Sequence, residues 1–375
     1  MKNKMQKFAD KYFIRANEIL KADNLNPWVN MQVFVRKGPG KVAGIEEAID
    51  IITNNSNIAE VGGRIYAKTD GGVYKPKETL MNIIAPVQEI MELETVYLGV
   101  IAAAMTRQND NKELDLKAIQ RNVEQVVELA GNRPVLYFGA RHWHYNMDQA
   151  ITKAAFDGGV KDCSTDNGGE TVGKKGMGTI PHGSENIYAY KFGKERAVVE
   201  ATKAFDKYMD PAIPRIALVD YNNKEITDTV ETAKALEGRL FGGRTDTCGE
   251  NLAENAKDGD RKYWEGKGVT VESVRALREG LDNAGYQDVK IIISSGFSNP
   301  EKVKAFNEGE KMYKMRLYDA IGAGFLDGIR TSTADIVAVG ETADQVDFNY
   351  GVQQQNIFHK VGRPPRFNPT LERFL

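Results

Sequence analysis

The sequence is poor in cysteine, has almost no net charge and contains no long hydrophobic run. Its two cysteines, Cys163 and Cys248, are too few for a cysteine-rich metal site and lie far apart, so we expect reduced thiols rather than a disulfide. No apolar run approaches the length of a membrane-spanning helix. The 50 basic and 52 acidic residues give a formal net charge of -2, so no overall field attracts the chain to nucleic acid or to a membrane. Any bound anion must be held by a local group of cations.

The length of the chain is sufficient for two domains. It has 375 residues, of which 41% are hydrophobic, and can therefore bury large cores. Residues 1–20 lack an uninterrupted apolar stretch and have the pattern of an amphipathic helix instead of a signal peptide. We therefore expect a soluble protein of the cytoplasm.

The pattern of the chain changes near Leu116. Before it, short alternating runs broken by glycine and proline predict a small antiparallel or mixed sheet. After it, strand patterns alternate with helical patterns about seven times, which indicates parallel βα units and favours a barrel over a doubly wound sheet. The predicted strands of this second part are residues 135–138, 160–164, 176–180, 215–220, 238–246, 289–294 and 317–323. We expect residues 338–375, which are polar and contain prolines after Gly362, to pack back onto the first domain.

Two short segments hold three of the four histidines of the chain. Residues 135–145 contain Arg141, His142 and His144, and residues 173–183 contain two lysines, several glycines and His182. Each segment has the pattern of a buried strand that runs into polar, flexible residues. Functional side chains in α/β proteins lie where strands end in loops, because the sheet is rigid and the loops are exposed. The two segments therefore predict a site for an anionic substrate.

Five motifs, in this order and spacing, resemble those of the nicotinate phosphoribosyltransferases of the short archaeal and bacterial kind, within the type II phosphoribosyltransferases. The motifs are Asp-Lys-Tyr-Phe-Ile-Arg at 10–15, Phe-Gly-Ala-Arg at 138–141, Gly-Thr-Ile-Pro-His at 178–182, Ala-Leu-Val-Asp at 217–220 and Gly-Arg-Thr-Asp-Thr at 243–247. Each motif alone is weak, whereas the ordered set is specific. The resemblance extends from Asp10 to about Asp335, which is most of the chain.

The resemblance implies an α/β fold with two domains. An N-terminal α/β sandwich would comprise residues 1–115, joined by the returning residues 338–375, and an irregular, TIM-like α/β barrel would comprise residues 116–337. The implied assembly is a homodimer or a multiple of dimers, in which Tyr12 reaches the barrel mouth of the partner subunit.

The resemblance also implies an activity and a set of site residues. The reaction is transfer of a phosphoribosyl group from phosphoribosyl pyrophosphate to nicotinate, coupled to ATP hydrolysis, in NAD salvage. Mg²⁺ and ATP are expected, and zinc is not. The implied catalytic residues are His182, which ATP would phosphorylate, Asp220 and Arg244. The implied substrate-binding residues are Tyr12, Phe138, Arg141, Thr165, Lys175, Thr179 and Asp246. The implied phosphate-binding residues are Ser294, Gly296, Gly322 and Gly324. Mg²⁺ has no firm protein ligand, with Asp220 and Asp246 as candidates.

Several of these residues also have structural interpretations. Phe138 can equally belong to the barrel core, since aromatic residues in strands usually pack. Asp220 can cap the following helix, Arg244 can pair with Asp246, and His182 can be a neutral, hydrogen-bonded histidine at a strand end.

The remaining histidines and the basic residues near the end of the sequence suggest structural or solvated positions. His142 and His144 are two residues apart, so their side chains point apart on an extended chain, which argues against a shared metal and makes one of them structural. The set expected to form a solvated tail is His359, Arg363, Arg366 and Arg373.

Two residues depart from the motifs that the resemblance implies. Ser295 stands where the family usually has glycine, and Phe325 stands where it has threonine, both at positions that cradle phosphate. These departures leave a non-catalytic nucleotide-binding paralogue as one alternative. A nicotinamide phosphoribosyltransferase is the other, although Arg244, together with a threonine at 165 in place of an acid, favours nicotinate because a guanidinium pairs with a ring carboxylate at two points.

Overall fold

The computed structural model describes residues 4–375. The strands are β1 Trp28–Val35, β2 Gly40–Lys41, β3 Arg64–Ala67, β4 Val73–Tyr74, β5 Thr79–Pro86, β6 Val135–Tyr137, β7 Asp162–Cys163, β8 Arg215–Leu218, β9 Leu240–Thr245, β10 Lys290–Ile293, β11 Ala320–Ala323, β12 Ser332–Gly340 and β13 Glu372–Arg373. The helices are α1 Lys11–Ala22, α2 Ile45–Asn55, α3 Val87–Ile90, α4 Glu94–Asp110, α5 Leu116–Ala130, α6 Asp148–Asp157, α7 Asp166–Glu170, α8 His182–Phe192, α9 Ala197–Tyr208, α10 Glu225–Ala235, α11 Val271–Asn283, α12 Pro300–Tyr313 and α13 Ala343–Val346.

An antiparallel sheet combines strands from distant parts of the sequence. Its order is β12-β1-β5-β3-β13, and β1 pairs with β12 on one side and with β5 on the other. Every residue of β5 is buried, because side chains on both faces of this strand pack against apolar clusters. The sheet that alternating runs predicted is thus confirmed, but its central strands are buried on both faces. The boundary expected between residues 337 and 338 falls inside β12.

The second sheet is parallel and has the order β7-β6-β11-β10-β9-β8. All of its strand pairs are parallel, as alternating strands and helices predict. Its edge strands, β7 and β8, are not paired with each other within the described residues, so the predicted α/β barrel is an open one of six strands.

The prediction of a strand at residues 176–180 is wrong. These residues, all of them described, form an irregular segment. Gly178 has a φ of 153° and its backbone lies against Tyr12, where a Cβ would come within 3.1 Å of the tyrosine backbone nitrogen. Gly176 lies even closer to the backbone of Thr165, where a Cβ would come within 2.7 Å of the carbonyl carbon. The glycines therefore let this segment pass against two neighbouring elements instead of joining the sheet.

The other predicted elements of this region are present with small shifts of their ends. The largest extension is in α12: the sequence pattern predicts a helix over residues 300–307, and the helix continues to Tyr313. Gly309 does not break this helix, because its missing side chain makes room for Val271 of α11. At the N-terminal end of the chain, α1 begins at Lys11, and Met1–Asn3 lie outside the described residues.

Both cysteines, Cys163 and Cys248, are buried and free. Within residues 4–375, none of the helices combines the length and the apolar composition that crossing a membrane requires.

Candidate active site

A cavity of about 620 Å³ lies where the carboxyl ends of β6, β9, β10 and β11 face the antiparallel sheet. This is the edge of a parallel sheet at which loops present functional side chains. The structure brings most of the predicted site residues to its wall: Tyr12, Phe138, Arg141, His182, Arg244, Asp246, Ser294, Gly296, Gly322 and Gly324. Residues of β12 form the opposite wall.

His182 is the first residue of α8, not the end of a strand as predicted. Its Nε2 lies 2.8 Å from Oδ1 of Asp220, which is fully buried at the end of β8. Burial lowers the pKa of His182, although Asp220 opposes this shift. The ring is therefore neutral near pH 7, and because Nε2–H donates a hydrogen bond to Asp220, Nδ1 carries the free lone pair. His182 can act as a nucleophile through Nδ1 at the positively polarised N-terminus of α8.

Lys360 also contacts Asp220, and the sequence analysis did not predict this residue as part of the site. Its Nζ donates to Oδ2 of Asp220, and its side chain is 4% exposed. Burial alone would raise the pKa of Asp220, but Lys360 and His182 hold that pKa well below its usual range. Asp220 does not cap α10, whose N-cap residue is Lys224. Asp220 is thus an ionised carboxylate that accepts from a histidine and a lysine.

The segment predicted as a solvated tail contributes to the cavity. Arg363 lines the cavity and pairs with Asp335 of β12 at 3.2 Å, so the prediction is wrong for this residue. It is also wrong for Arg366, whose guanidinium lies 4.8 Å from the centre of the Phe34 ring and whose pKa is lowered by burial. His359 is half-buried, and Arg373 alone of the set is exposed, as expected. The segment carries no periodicity that would have indicated these contacts.

Aromatic rings and guanidinium groups form one wall of the cavity. The side chain of Phe138 lines the cavity instead of joining the sheet core, and the guanidinium of Arg244 lies 5.9 Å from the centre of its ring. Within residues 4–375, Arg244 makes no ion pair with Asp246 and donates a single long hydrogen bond, at 3.4 Å, to the Ile180 carbonyl. Arg244 therefore keeps most of its donors for a ligand.

Tyr12 lies at the cavity of its own chain. Its hydroxyl accepts from Nη1 of Arg141 at 2.8 Å and donates to Oδ2 of Asp10 at 3.0 Å. Tyr12 raises the pKa of Arg141 most strongly, so this guanidinium stays charged. Sequence reasoning assigned Tyr12 to the partner's site, whereas here it positions Arg141 within one chain.

The glycine-rich wall lies at the ends of β10 and β11. Gly322 packs against Phe138, and Gly324 packs against His142, so that a Cβ at either position would overlap the ring. Ser295 and Phe325, the two departures from the motifs, have φ values of 71° and 59°. Residues other than glycine adopt this left-handed region rarely, and such strain is common at functional sites.

Three predicted substrate-binding residues lie outside the cavity. Thr165 is buried, donates to Oδ2 of Asp148 at 2.8 Å and caps α7. Lys175 is exposed. Thr179 donates to the Ile216 carbonyl at 2.8 Å and fixes the irregular segment onto β8.

The two neighbouring histidines are separated, as expected. His142 lines the cavity, and burial lowers its pKa to about 3, so it is neutral. His144 instead contacts Glu47 of α2, with 2.9 Å between Nε2 and Oε1.

One group of side chains has the spacing of a metal site. The ligand atoms of His182, Asp220 and Asp246 lie within 4.8 Å of one another. Mg²⁺ prefers oxygen ligands, but both oxygens of Asp220 already accept from cationic or N–H donors, and Oδ1 of Asp246 accepts from Ser294 at 2.8 Å. The set therefore does not fit a resident Mg²⁺.

Comparisons with known proteins agree with this fold. The family described as Quinolinate phosphoribosyl transferase, N-terminal domain, matches residues 10–105. The structure resembles that of nicotinate phosphoribosyltransferase from Porphyromonas gingivalis, with a TM-score of 0.64 and 12% identity over 95% of this chain and 92% of that one. The enzyme from Vibrio cholerae gives a TM-score of 0.63 and 13% identity over 90% and 86%. The fold is that of the type II phosphoribosyltransferases.

Two proteins that are similar in sequence are both nicotinate phosphoribosyltransferases. Nicotinate phosphoribosyltransferase pncB2 of Mycobacterium tuberculosis is 28% identical over 238 residues, which are 62% of this chain and 42% of that protein. Nicotinate phosphoribosyltransferase pncB1 of the same organism is 24% identical over 315 residues, or 81% and 63%. The alignments thus span less than two thirds of each relative's length. The resemblance to the nicotinate phosphoribosyltransferases that the motifs indicated is confirmed.

Proposed function

We propose that the protein is a nicotinate phosphoribosyltransferase that converts nicotinate and phosphoribosyl pyrophosphate to nicotinate mononucleotide and pyrophosphate in NAD salvage. One observation carries the proposal: a single cavity is lined by an aromatic and guanidinium wall and by a glycine-rich wall, which meet where Gly322 packs against Phe138. The first, with Phe138 and Arg244, suits a planar ring that bears a carboxylate. The second, with Gly296 and Gly322, lets a backbone approach a phosphate group closely.

The chemistry needs cations more than covalent steps. As the bond between C1 of the ribose and the pyrophosphate breaks, positive charge develops on the sugar and negative charge on the leaving group. Arg141, Lys360 and Arg363 supply positive charge in or beside the cavity for the pyrophosphate. The ring nitrogen of nicotinate then forms the new bond to C1, and pyrophosphate leaves. Removal of one preorganised contact of this kind costs about 3 kcal/mol, or a hundredfold or more in rate.

ATP coupling is a second part of the proposal. Nδ1 of His182 would attack the γ-phosphorus of ATP, so that an N–P bond forms, the bond to the bridging oxygen breaks and ADP leaves. Water later hydrolyses the phosphohistidine to phosphate. The neutral ring, its contact with Asp220 and the position at the start of α8 support this role.

Two alternatives have less support. Nicotinamide recognition by an acid near residue 165 is disfavoured, because the carboxylate of Asp166 is engaged with Lys11 at 2.7 Å and with the Gly176 N–H at 2.9 Å. A binding-only paralogue has little need for Arg141, His182, Asp220 and Arg244 in one cluster.

The remaining properties are proposals from the same resemblance. Mg²⁺ would enter as a complex with the diphosphate substrate and not as a resident ion. The expected location is the cytoplasm, and the expected assembly is a homodimer or a multiple of dimers. No zinc is expected.

Product analysis with each pyridine base tests the proposal. The purified protein is incubated with phosphoribosyl pyrophosphate and nicotinate, nicotinamide or quinolinate, with and without ATP, and the mononucleotides are separated chromatographically. We expect nicotinate mononucleotide and pyrophosphate in equal amounts, with stimulation by ATP. A preference for another base reassigns the substrate, and no product with any base contradicts the proposal.

The role of His182 is tested separately with γ-labelled ATP. The wild-type protein should acquire an acid-labile, alkali-stable label, which His182→Ala should lack while it keeps slow, ATP-independent transfer. His144→Ala is the matched control, since this histidine lies outside the cavity, and it should keep the label. An active wild-type enzyme without such a label would exclude the phosphohistidine.

A further inference from the structure

Lys302 is a buried lysine without an acidic partner, directly behind the glycine-rich wall. It lies in the first turn of α12 and is 8% exposed. Its Nζ donates to the Ser295 carbonyl at 2.8 Å and lies 4.3 Å from the centre of the Phe297 ring. Among residues 4–375, no carboxylate lies close enough to form an ion pair with it. Burial lowers its pKa to about 7, and Asp246 opposes this shift. Burial of an ammonium group with so few partners costs free energy, which suggests that this lysine has a function.

The hydrogen bond from Lys302 fixes the orientation of one peptide group. The peptide between Ser295 and Gly296 is trans, so its carbonyl and its N–H point in opposite directions. Because the carbonyl faces Lys302, the N–H of Gly296 faces away from it. Gly296 itself lines the cavity, and no group in the described part of the chain accepts from its N–H. The peptide therefore offers a free donor on the cavity side.

Ser295 makes this fixation necessary. Its φ of 71° is unfavourable for a residue with a Cβ, and relaxation of this angle would move the Ser295 carbonyl. Lys302 opposes such a change by binding the carbonyl. When protonated, Lys302 also places a positive charge one peptide group behind the free N–H, where the field favours an anion.

We propose that Lys302 is a positioning residue for the phosphate group of the sugar substrate. It holds the peptide between Ser295 and Gly296 with its N–H directed at the bound phosphate. This inference rests on the proposed function and deepens it, since it explains how the wall binds phosphate although Ser295 replaces the glycine of the family motif.

The alternative is that Lys302 only fills space, with its aliphatic stem packed against Phe297. Lys302→Met tests the two, because methionine keeps the length of the stem and removes the ammonium. Lys304→Met is the matched control: this lysine lies on the same helix, is 51% exposed and pairs with Glu301 at 2.7 Å. Steady-state kinetics give the KM of each substrate, and calorimetry with ribose 5-phosphate gives a Kd that does not depend on turnover.

For Lys302→Met we expect the KM for phosphoribosyl pyrophosphate and the Kd for ribose 5-phosphate to rise about tenfold, which corresponds to about 1.4 kcal/mol. The KM for nicotinate should change less than twofold, and Lys304→Met should match the wild type. Equal losses for both substrates, or a lowered Tm without a change in either phosphate constant, would show a packing role and overturn the inference.

The two proposals fail in different ways. If the wild type turns over nicotinate and Lys302→Met behaves like Lys304→Met, the inference is wrong and the proposed function stands. If no pyridine base is turned over, but ribose 5-phosphate binds and Lys302→Met weakens it, the proposed function is wrong and the inference stands. A wild-type protein that does not bind ribose 5-phosphate contradicts the inference directly.

Discussion

Lys360 and Asp220 form an ion pair in which the side chains are 4% and 0% exposed. Two groups that are buried to this extent depend on each other, because each would otherwise be an uncompensated charge. Since Asp220 also accepts from His182, the pair sets the state of the proposed nucleophile: Asp220 raises the pKa of the histidine, and Lys360 lowers it.

Replacement of Lys360 by methionine should therefore affect both stability and His182. We expect a loss of about 3–5 kcal/mol in the free energy of unfolding, because a buried carboxylate loses its cation. The pKa of His182 should rise, since a positive neighbour is removed. Urea unfolding and the histidine NMR titration measure the two effects. Lys267→Met, on an exposed lysine, is the control and should change stability by less than about 0.5 kcal/mol. Equal stability of the two variants would contradict the importance of the pair.

The side chain of Arg244 should determine the preference for nicotinate. Arg244→Gln removes the charge that would pair with the ring carboxylate, so kcat/KM for nicotinate should fall on the order of a hundredfold, while kcat/KM for nicotinamide changes little. The ratio of the two values is the measurement. Arg239→Gln is the control, since this arginine precedes β9 and pairs with Asp206 away from the cavity. A loss that is the same for both bases would remove Arg244 from ring recognition.

Mixed oligomers should show whether Tyr12 acts within its own chain. In the structure Tyr12 and Arg244 line the same cavity of one chain, so a Tyr12→Ala subunit and an Arg244→Ala subunit each lack part of their own site. We expect hybrids of these variants to show no recovery of activity, contrary to the sequence-based expectation of shared sites. Activity assays after mixing, unfolding and refolding the two variants measure it. Recovery in proportion to hybrid content would mean that Tyr12 is exchanged between subunits.

Glu185 should make the stability depend on pH. Its side chain is fully buried next to Asp220, neither oxygen has a partner in the described residues, and burial raises its pKa well above the usual range. A raised pKa in the folded state means that stability is full below the unfolded pKa and declines as pH rises towards the folded value.

Glu185→Gln should remove this decline, because glutamine is neutral at every pH. Chemical unfolding at pH 5 and pH 8 should show the variant gaining stability relative to the wild type as pH rises, by about 1.4 kcal/mol for each pH unit over which the wild-type group keeps its proton only when folded. Glu128→Gln, on the exposed side of α5, should show no such trend. A constant difference between Glu185→Gln and the wild type would mean that Glu185 is ionised in the folded protein.

Much of the site could be predicted from the sequence, because its residues follow strands. Phe138 and Arg141 come directly after β6, and Asp246 follows β9, so the parallel sheet itself brings them to one edge. Lys360 could not be predicted, since its partner is 140 residues away and the segment around it has no periodicity. For Thr165 the prediction failed for a different reason. The residue follows β7, but the local turn directs its hydroxyl into the N-terminal cap of α7 instead of the cavity.

The fold, too, could be predicted in part from the sequence. Alternation of strand and helix patterns predicted the parallel sheet, whereas the segment at 176–180 was mistaken for a strand because its apolar residues alternate with glycines that serve close packing. The spacing of hydrophobic residues indicates which residues are buried. It does not show whether a buried segment pairs with a strand or only packs against the backbone of another element.

The pairing of β1 with β12 also has a consequence for synthesis on the ribosome. Trp28 pairs with Gly340, so one edge of β1 has no partner until the ribosome has made β12. An unpaired strand edge can template association with other chains, and folding during translation begins with the residues made first. The nascent chain thus carries an open edge through most of its elongation, and Lys360 and Arg363 reach the cavity only afterwards. Chaperones that cover strand edges should therefore matter more for producing this protein than for maintaining it.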